Sequence, residues 1–172
     1  MSETTEISRN QDFISTLPHR IIATVGATAT ILLIFLVAYW FELIPSGVSI
    51  SIGLFISLPL VFTFIFGVIL DKPDFTSTLR HYGFGIYILI ALIAYFVYMK
   101  PDSFMLFGKY IIQFFIGFFL SMFSGACYLI PYHLLRKYKY RIKASISLGI
   151  STILSFTLLF ILKYYKVFEW VT

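Results

Sequence analysis

"FFIGFFLSMF" occupies residues 114–123. Five of its ten positions are phenylalanine, none is charged, and polar residues do not alternate with apolar ones. A barrel strand alternates lipid-facing and lumen-facing residues over about ten positions. This stretch does not, and neither does "ILLIFLVAYW" at 31–40. A uniformly apolar segment in lipid must satisfy its backbone internally, which a helix does and an open strand does not.

The same texture extends over most of the chain. Five runs carry no Asp, Glu, Lys or Arg: Ile21–Phe41, Leu43–Leu70, Tyr82–Met99, Tyr110–Tyr132 and Ala144–Leu162. Each is 18 residues or longer. At about 1.5 Å per residue, such runs match a hydrocarbon core about 30 Å thick. Tyr82–Met99 is the shortest and is expected to use Arg80, His81 and Lys100 at the headgroups. Hydrophobic residues make up 59% of the chain and charged residues 12%. Typical globular chains have about half and about a quarter. So little charge does not cover a water-facing surface.

These features predict an all-α polytopic transmembrane helix bundle (residues 21–162) with about five spans. They lie near 21–42, 48–70, 82–99, 108–132 and 144–162, between a polar N-terminal tail (1–20) and a C-terminal tail (163–172). The first run is too long for the 7–15-residue core of a signal peptide, and no A-x-A-like site follows it, so it is read as a retained span. "IPSG" (44–47) and "KPDS" (100–103) read as turns, Pro73 as a helix stop, and Pro59 as a kink inside the second span.

Charge sets the orientation. "LIPYHLLRKYKYRIK" (129–143) carries Arg136, Lys137, Lys139, Arg141 and Lys143. With the N-terminus inside, these five join Arg9, Arg20, Lys72 and Arg80 on the inner side. Lys100, Lys109, Lys163 and Lys166 fall outside. Nine against four favours a cytoplasmic N-terminus by positive-inside counting. Lys109, inside the fourth helix, is expected to snorkel. The five loop cations are candidate contacts for anionic lipid, where each contributes about 1 kcal/mol near a negative leaflet. The loop is too short and too close to the membrane for nucleic acid, despite Tyr138 and Tyr140 between its cations.

Apolar burial gives little drive for association in lipid, so helices meet through small residues. Three stripes have a spacing of four: Ser49, Gly53 and Ser57; Gly117, Ser121 and Gly125; Ser147, Ser151 and Ser155. They are the candidate packing seams, with phenylalanine-rich faces towards lipid. The alternative reading is that these small polar residues line a pathway.

Chemistry is sparse. Glu42 sits beside Trp40 at a span end and reads as interfacial. Gln113 is the most polar group well inside a span and is expected to hydrogen-bond across helices. His19, His81 and His133 fall at span edges without a Cys-x-x-Cys-His motif, so haem is not expected, nor is a metal site. Cys127 is the single cysteine, which excludes an intramolecular disulfide, and it reads as an inert thiol. No G-x-S-x-G, HExxH or GxxxxGK[ST] motif is present. No catalysis and no cofactor are expected.

"LPLVFTFIFGVILDK" (58–72) resembles a segment of uncharacterised small multi-spanning membrane proteins of Gram-positive bacteria. That resemblance implies a bacterial cytoplasmic membrane location and carries over no residue role. The format is also similar to that of immunity proteins that guard a membrane against toxins. The expected partners are membrane lipids and, within the bilayer, a second copy, another membrane protein or a toxin. A small channel or transport accessory is the alternative, and a membrane enzyme is third.

Overall fold

The structure, a computed structural model, describes residues 25–70, 73–135 and 138–170, and the side chains of 59–84 and 140 lie outside the described set. It is all-α, with no strand among the described residues. Helix α1 is described over Val25–Trp40. It is followed by α2 (Ser46–Leu70), α3 (Pro73–Met99), α4 (Phe104–Leu134), α5 (Tyr140–Tyr164) and a 3-10 turn, Val167–Trp170. Phe104–Leu134 and Arg141–Tyr164 are long and apolar enough to cross a membrane. Val25–Trp40, Ser46–Leu58 and Gly85–Met99 are shorter apolar stretches.

The helix ends follow from local chemistry. Glu42 closes α1 with a left-handed backbone (φ 53°). The amide of Leu43 donates to the Ala38 carbonyl (2.8 Å) and that of Glu42 to the Tyr39 carbonyl (3.0 Å). This pair of bonds is a Schellman cap, here built on a glutamate where glycine is usual. Lys100 and Lys166, just past α3 and α5, also adopt positive φ. Ser103 caps α4, its hydroxyl accepting from the Leu106 amide at 3.3 Å. Lys139 occupies the cap position of α5 without a side-chain hydrogen bond.

Helix α2 does end ahead of Pro73, at Leu70, but the polar stretch 71–81 is not all connection, because Pro73 is the first residue of α3. Proline suits that position, because its missing N–H would have no intrahelical partner there. Within the C-terminal tail (163–172), residues 163–170 are described and carry structure. Helix α5 continues to Tyr164, and the following turn folds Phe168 back into a cluster with Leu43 and Leu159. The N-terminal tail (1–20), with Arg9, His19 and Arg20, lies outside the described residues, as do Asp71 and Lys72. The expected kink at Pro59 falls on side chains that are not described.

The connections make an up-and-down bundle with two chemically distinct ends. At one end the Lys163 ammonium donates to the Glu42 carbonyl (3.3 Å), joining the C-terminal ends of α1 and α5. Trp40, Phe41, Phe104, Tyr164, Tyr165 and Trp170 are all exposed there. At the other end Tyr128 and Tyr132 of α4 pack with Ala27 of α1 and Ala144 of α5. Lys143, at the start of α5, lies over the Tyr132 ring there. The long central core joins Phe35 and Ala38 of α1, Val48 and Ile52 of α2, Leu120 of α4 and Leu159 of α5. Helix α3 packs on α2 and, more lightly, on α4, around Ala91, Tyr95 and Phe114.

Candidate functional site: the polar seams of the bundle

Most of the buried small and polar side chains of the helices gather along α4. Between α2 and α4, Gly117 faces Ser51 so closely that a Cβ on Gly117 would overlap the Ser51 hydroxyl and stand 3.0 Å from the Val48 carbonyl oxygen. Ser51 donates to that same carbonyl at 2.8 Å, so its hydroxyl is satisfied within α2. Ser121 turns back on the Gly117 carbonyl (2.9 Å). One turn towards the aromatic end, Gly47 makes room for the Gln113 side chain, and Tyr95 donates to Gln113 Oε1 at 3.0 Å. Gln113 therefore bonds across helices as expected, and one buried amide ties α3 to α4 over the glycine of α2.

The seam between α4 and α5 has different chemistry. Ser147, Ser151 and Ser155 are all buried on α5. Ser151 donates to the Ser124 carbonyl at 3.1 Å, and Ser155 donates to the Ser124 hydroxyl at 2.8 Å. Ser124 thus receives both hydroxyls, and it stands outside the stripe of fours read from the sequence. Its signal is the spacing of 117, 121, 124 and 128, the mixed four-and-three step of a packed helix face. Ser147 Oγ is buried and has no hydrogen-bond partner, and Tyr87 Oη is in the same condition on α3.

The remaining stripe residues are placed as follows. Gly117 and Ser121 are buried, and Gly125 is half-buried with Ile31 3.4 Å from where its Cβ would be. On α2 the close-approach face is Gly47 and Ser51, not Ser49, Gly53 and Ser57. Ser57 is exposed, Ser49 and Gly53 are half-buried, and a Cβ on Gly53 would meet nothing within 4 Å. The two sets differ by two residues, about 200° around the helix, and so lie on nearly opposite faces.

At the basic end, Arg136 and Lys137 lie outside the described residues. Lys139 and Arg141 are exposed and Lys143 is half-buried. The Lys143 ammonium stands 5.8 Å from the centre of the Tyr132 ring, within cation–π reach. Tyr132 stacks on Tyr128 with centroids 6.0 Å apart and planes 14° from parallel. His133 is exposed and meets Tyr132 edge-on. Lys109 is half-buried in the second turn of α4, and Cys127 is half-buried further along. Among the described residues no group of three or more His, Cys, Asp or Glu could hold a metal ion.

The arrangement offers hydroxyls, carbonyls and one amide in an apolar setting. It presents hydrogen-bonding groups without a charged acid or base among them. No protein-family model, no curated protein and no solved structure matches this chain.

Proposed function

We propose that this chain is an integral protein of a bacterial cytoplasmic membrane, with five spans and a cytoplasmic N-terminus. It acts by contact within the bilayer and performs no catalysis. The observation that carries this reading is the inverted distribution of polarity. Ser147 and Ser151 are 0% exposed, whereas Leu36 is 64% and Ile153 68% exposed. Water would drive the opposite arrangement, because burying a hydroxyl costs free energy and burying leucine gains it. In lipid the apolar face has no reason to hide and the hydroxyls have every reason to find one another. The exposed Trp and Tyr side chains gathered at one end suit a headgroup layer. Lys139, Arg141 and Lys143, with Arg136 and Lys137 beside them in sequence, suit the anionic inner leaflet.

A contact role follows from what the seams contain. Most of their polar groups are satisfied within the protein, by carbonyls of the same helix (Ser51, Ser121) or by bonds across helices (Tyr95 to Gln113, Ser151 and Ser155 to Ser124), which leaves little chemistry for a substrate. The outer faces are apolar and open, and available to a second copy, a membrane partner or a toxin, as in an immunity-like protein. A small channel or transport accessory is the second reading, favoured by the unpartnered Ser147 hydroxyl in line with Ser151 and Ser155. Reconstitution in liposomes separates the two. The contact reading predicts no movement of ions or dye, together with a membrane protein recovered by crosslinking in cells. Ion flux that responds to Ser151→Leu would replace it with the channel reading.

A further inference from the structure

The aromatic end carries a feature that the polar seams do not explain. A groove of about 820 Å³ opens between the α1–α2 connection and the end of α5. Leu43 forms one wall, and Thr157, Phe160, Ile161 and Tyr164 line the other. These four positions are i, i+3, i+4 and i+7, one face of α5 over about 10 Å of helix. The Thr157 hydroxyl is already occupied by the Ile153 carbonyl at 2.8 Å, so the lining is effectively apolar. Lys163 also lines the groove, near the end where α5 finishes.

The charges at this end are not equivalent. Lys166 is neutralised by Glu169 at 3.3 Å. The Lys163 ammonium donates to the neutral Glu42 backbone carbonyl at 3.3 Å, and among the described residues the Glu42 carboxylate forms no ion pair with it. An ammonium has three protons, and a carbonyl takes one. A held cation beside an apolar groove is complementary to an amphiphile with an anionic head and a hydrocarbon chain.

Resting on the membrane reading above, the geometry points to a binding site for one anionic phospholipid. Its acyl chain lies along Thr157, Phe160, Ile161 and Tyr164, and its phosphate oxygens accept hydrogen bonds from Lys163. This is distinct from the basic connection at the opposite end of the bundle. A single juxtamembrane cation changes lipid affinity by about fivefold.

The test uses the full chain in phosphatidylcholine nanodiscs containing brominated phosphatidylglycerol or brominated phosphatidylcholine. The readout is quenching of Trp40 and Trp170, both exposed at this end. Phosphatidylglycerol is expected to quench with about fivefold higher apparent affinity than phosphatidylcholine. Lys163→Gln should reduce that preference to less than about twofold, and Lys166→Gln should leave it intact. Thr157→Phe, which fills the groove, should weaken it without altering the charge. Equal quenching by the two lipids in the unaltered protein, or equal loss in both lysine variants, would overturn the site and leave the membrane placement standing. A disulfide-linked pair of chains formed readily through Thr157→Cys in a Cys127→Ser background would also overturn it, assigning the groove to a second copy. Absence of quenching by either lipid would overturn the membrane placement and the site with it.

Discussion

Helix α4 is held on two sides by two different means. Against α2 the approach depends on an absence: Gly117 has no side chain where the Ser51 hydroxyl and the Val48 carbonyl stand. Against α5 it depends on bonds: the Ser124 carbonyl and hydroxyl receive Ser151 and Ser155. Both seams bring backbones close, but they should respond differently to substitution. The glycine seam tolerates no added volume. The hydroxyl seam should tolerate loss of a group at a moderate cost, because interhelical hydrogen bonds in membrane proteins are individually weak.

The largest effect is expected from Gly117→Val. Its branched side chain must displace Ser51 or push α2 away, and overpacking of this kind costs about 1–3 kcal/mol. The lowered unfolding midpoint and yield in mild detergent would show it. Gly53→Ala is the matched control on α2. With nothing within 4 Å of the new Cβ, it should be neutral or gain up to about 1 kcal/mol from helix propensity. Equal behaviour of the two glycines would break the distinction between seam and outer face.

Ser124→Ala should come next. It removes the hydroxyl that accepts from Ser155 but leaves the carbonyl that accepts from Ser151. A loss of about 0.6–1.7 kcal/mol is expected, and a double-mutant cycle with Ser155→Ala should show the two changes to be non-additive. Independent, additive losses would mean that the hydroxyls do not act on each other.

The smallest effect is expected from Ser147→Ala. Its hydroxyl is buried without a partner, so removing it takes away a desolvation penalty and no bond. Stability should change by less than about 0.5 kcal/mol or rise slightly. A clear loss in the same unfolding assay would reveal a bound water or other partner at Ser147, and would move weight to the channel reading.

Much of this architecture is legible in the sequence, for identifiable reasons. Charged and Pro-containing breaks at Glu42–Pro45 and Lys100–Pro101 separate the helices cleanly, because few residues of those types belong in a span. The Ser147, Ser151 and Ser155 stripe falls on the buried face of α5, while other small residues of that helix, such as Gly149 and Thr157, are exposed and form no such series of fours. On α2 two small-residue series compete. Gly47 with Ser51 and Ser49 with Gly53 both read as spacings of four, and a helix that is apolar all round has no polar face to say which one turns inward. Ser124 was hidden for another reason: a stripe of strict fours drifts about 40° per step, whereas a packed face alternates steps of four and three. Pro73 shows only half of its role in the sequence: it follows the end of α2 and also begins α3, because proline is suited both to the position after a helix and to the first position of the next. The groove beside Lys163 depends on Leu43, which lies 120 residues away in sequence and on no shared pattern.

The proposed function requires that the bundle cross a membrane in the stated orientation. The most direct measurement is a pair of dual-reporter fusions, one after Asp102 and one after Lys139, in a bacterial host. The five-span arrangement predicts that the reporter after Lys139 is active in the cytoplasm and the one after Asp102 outside. A cytoplasmic signal at both positions, or the reverse assignment, would contradict it.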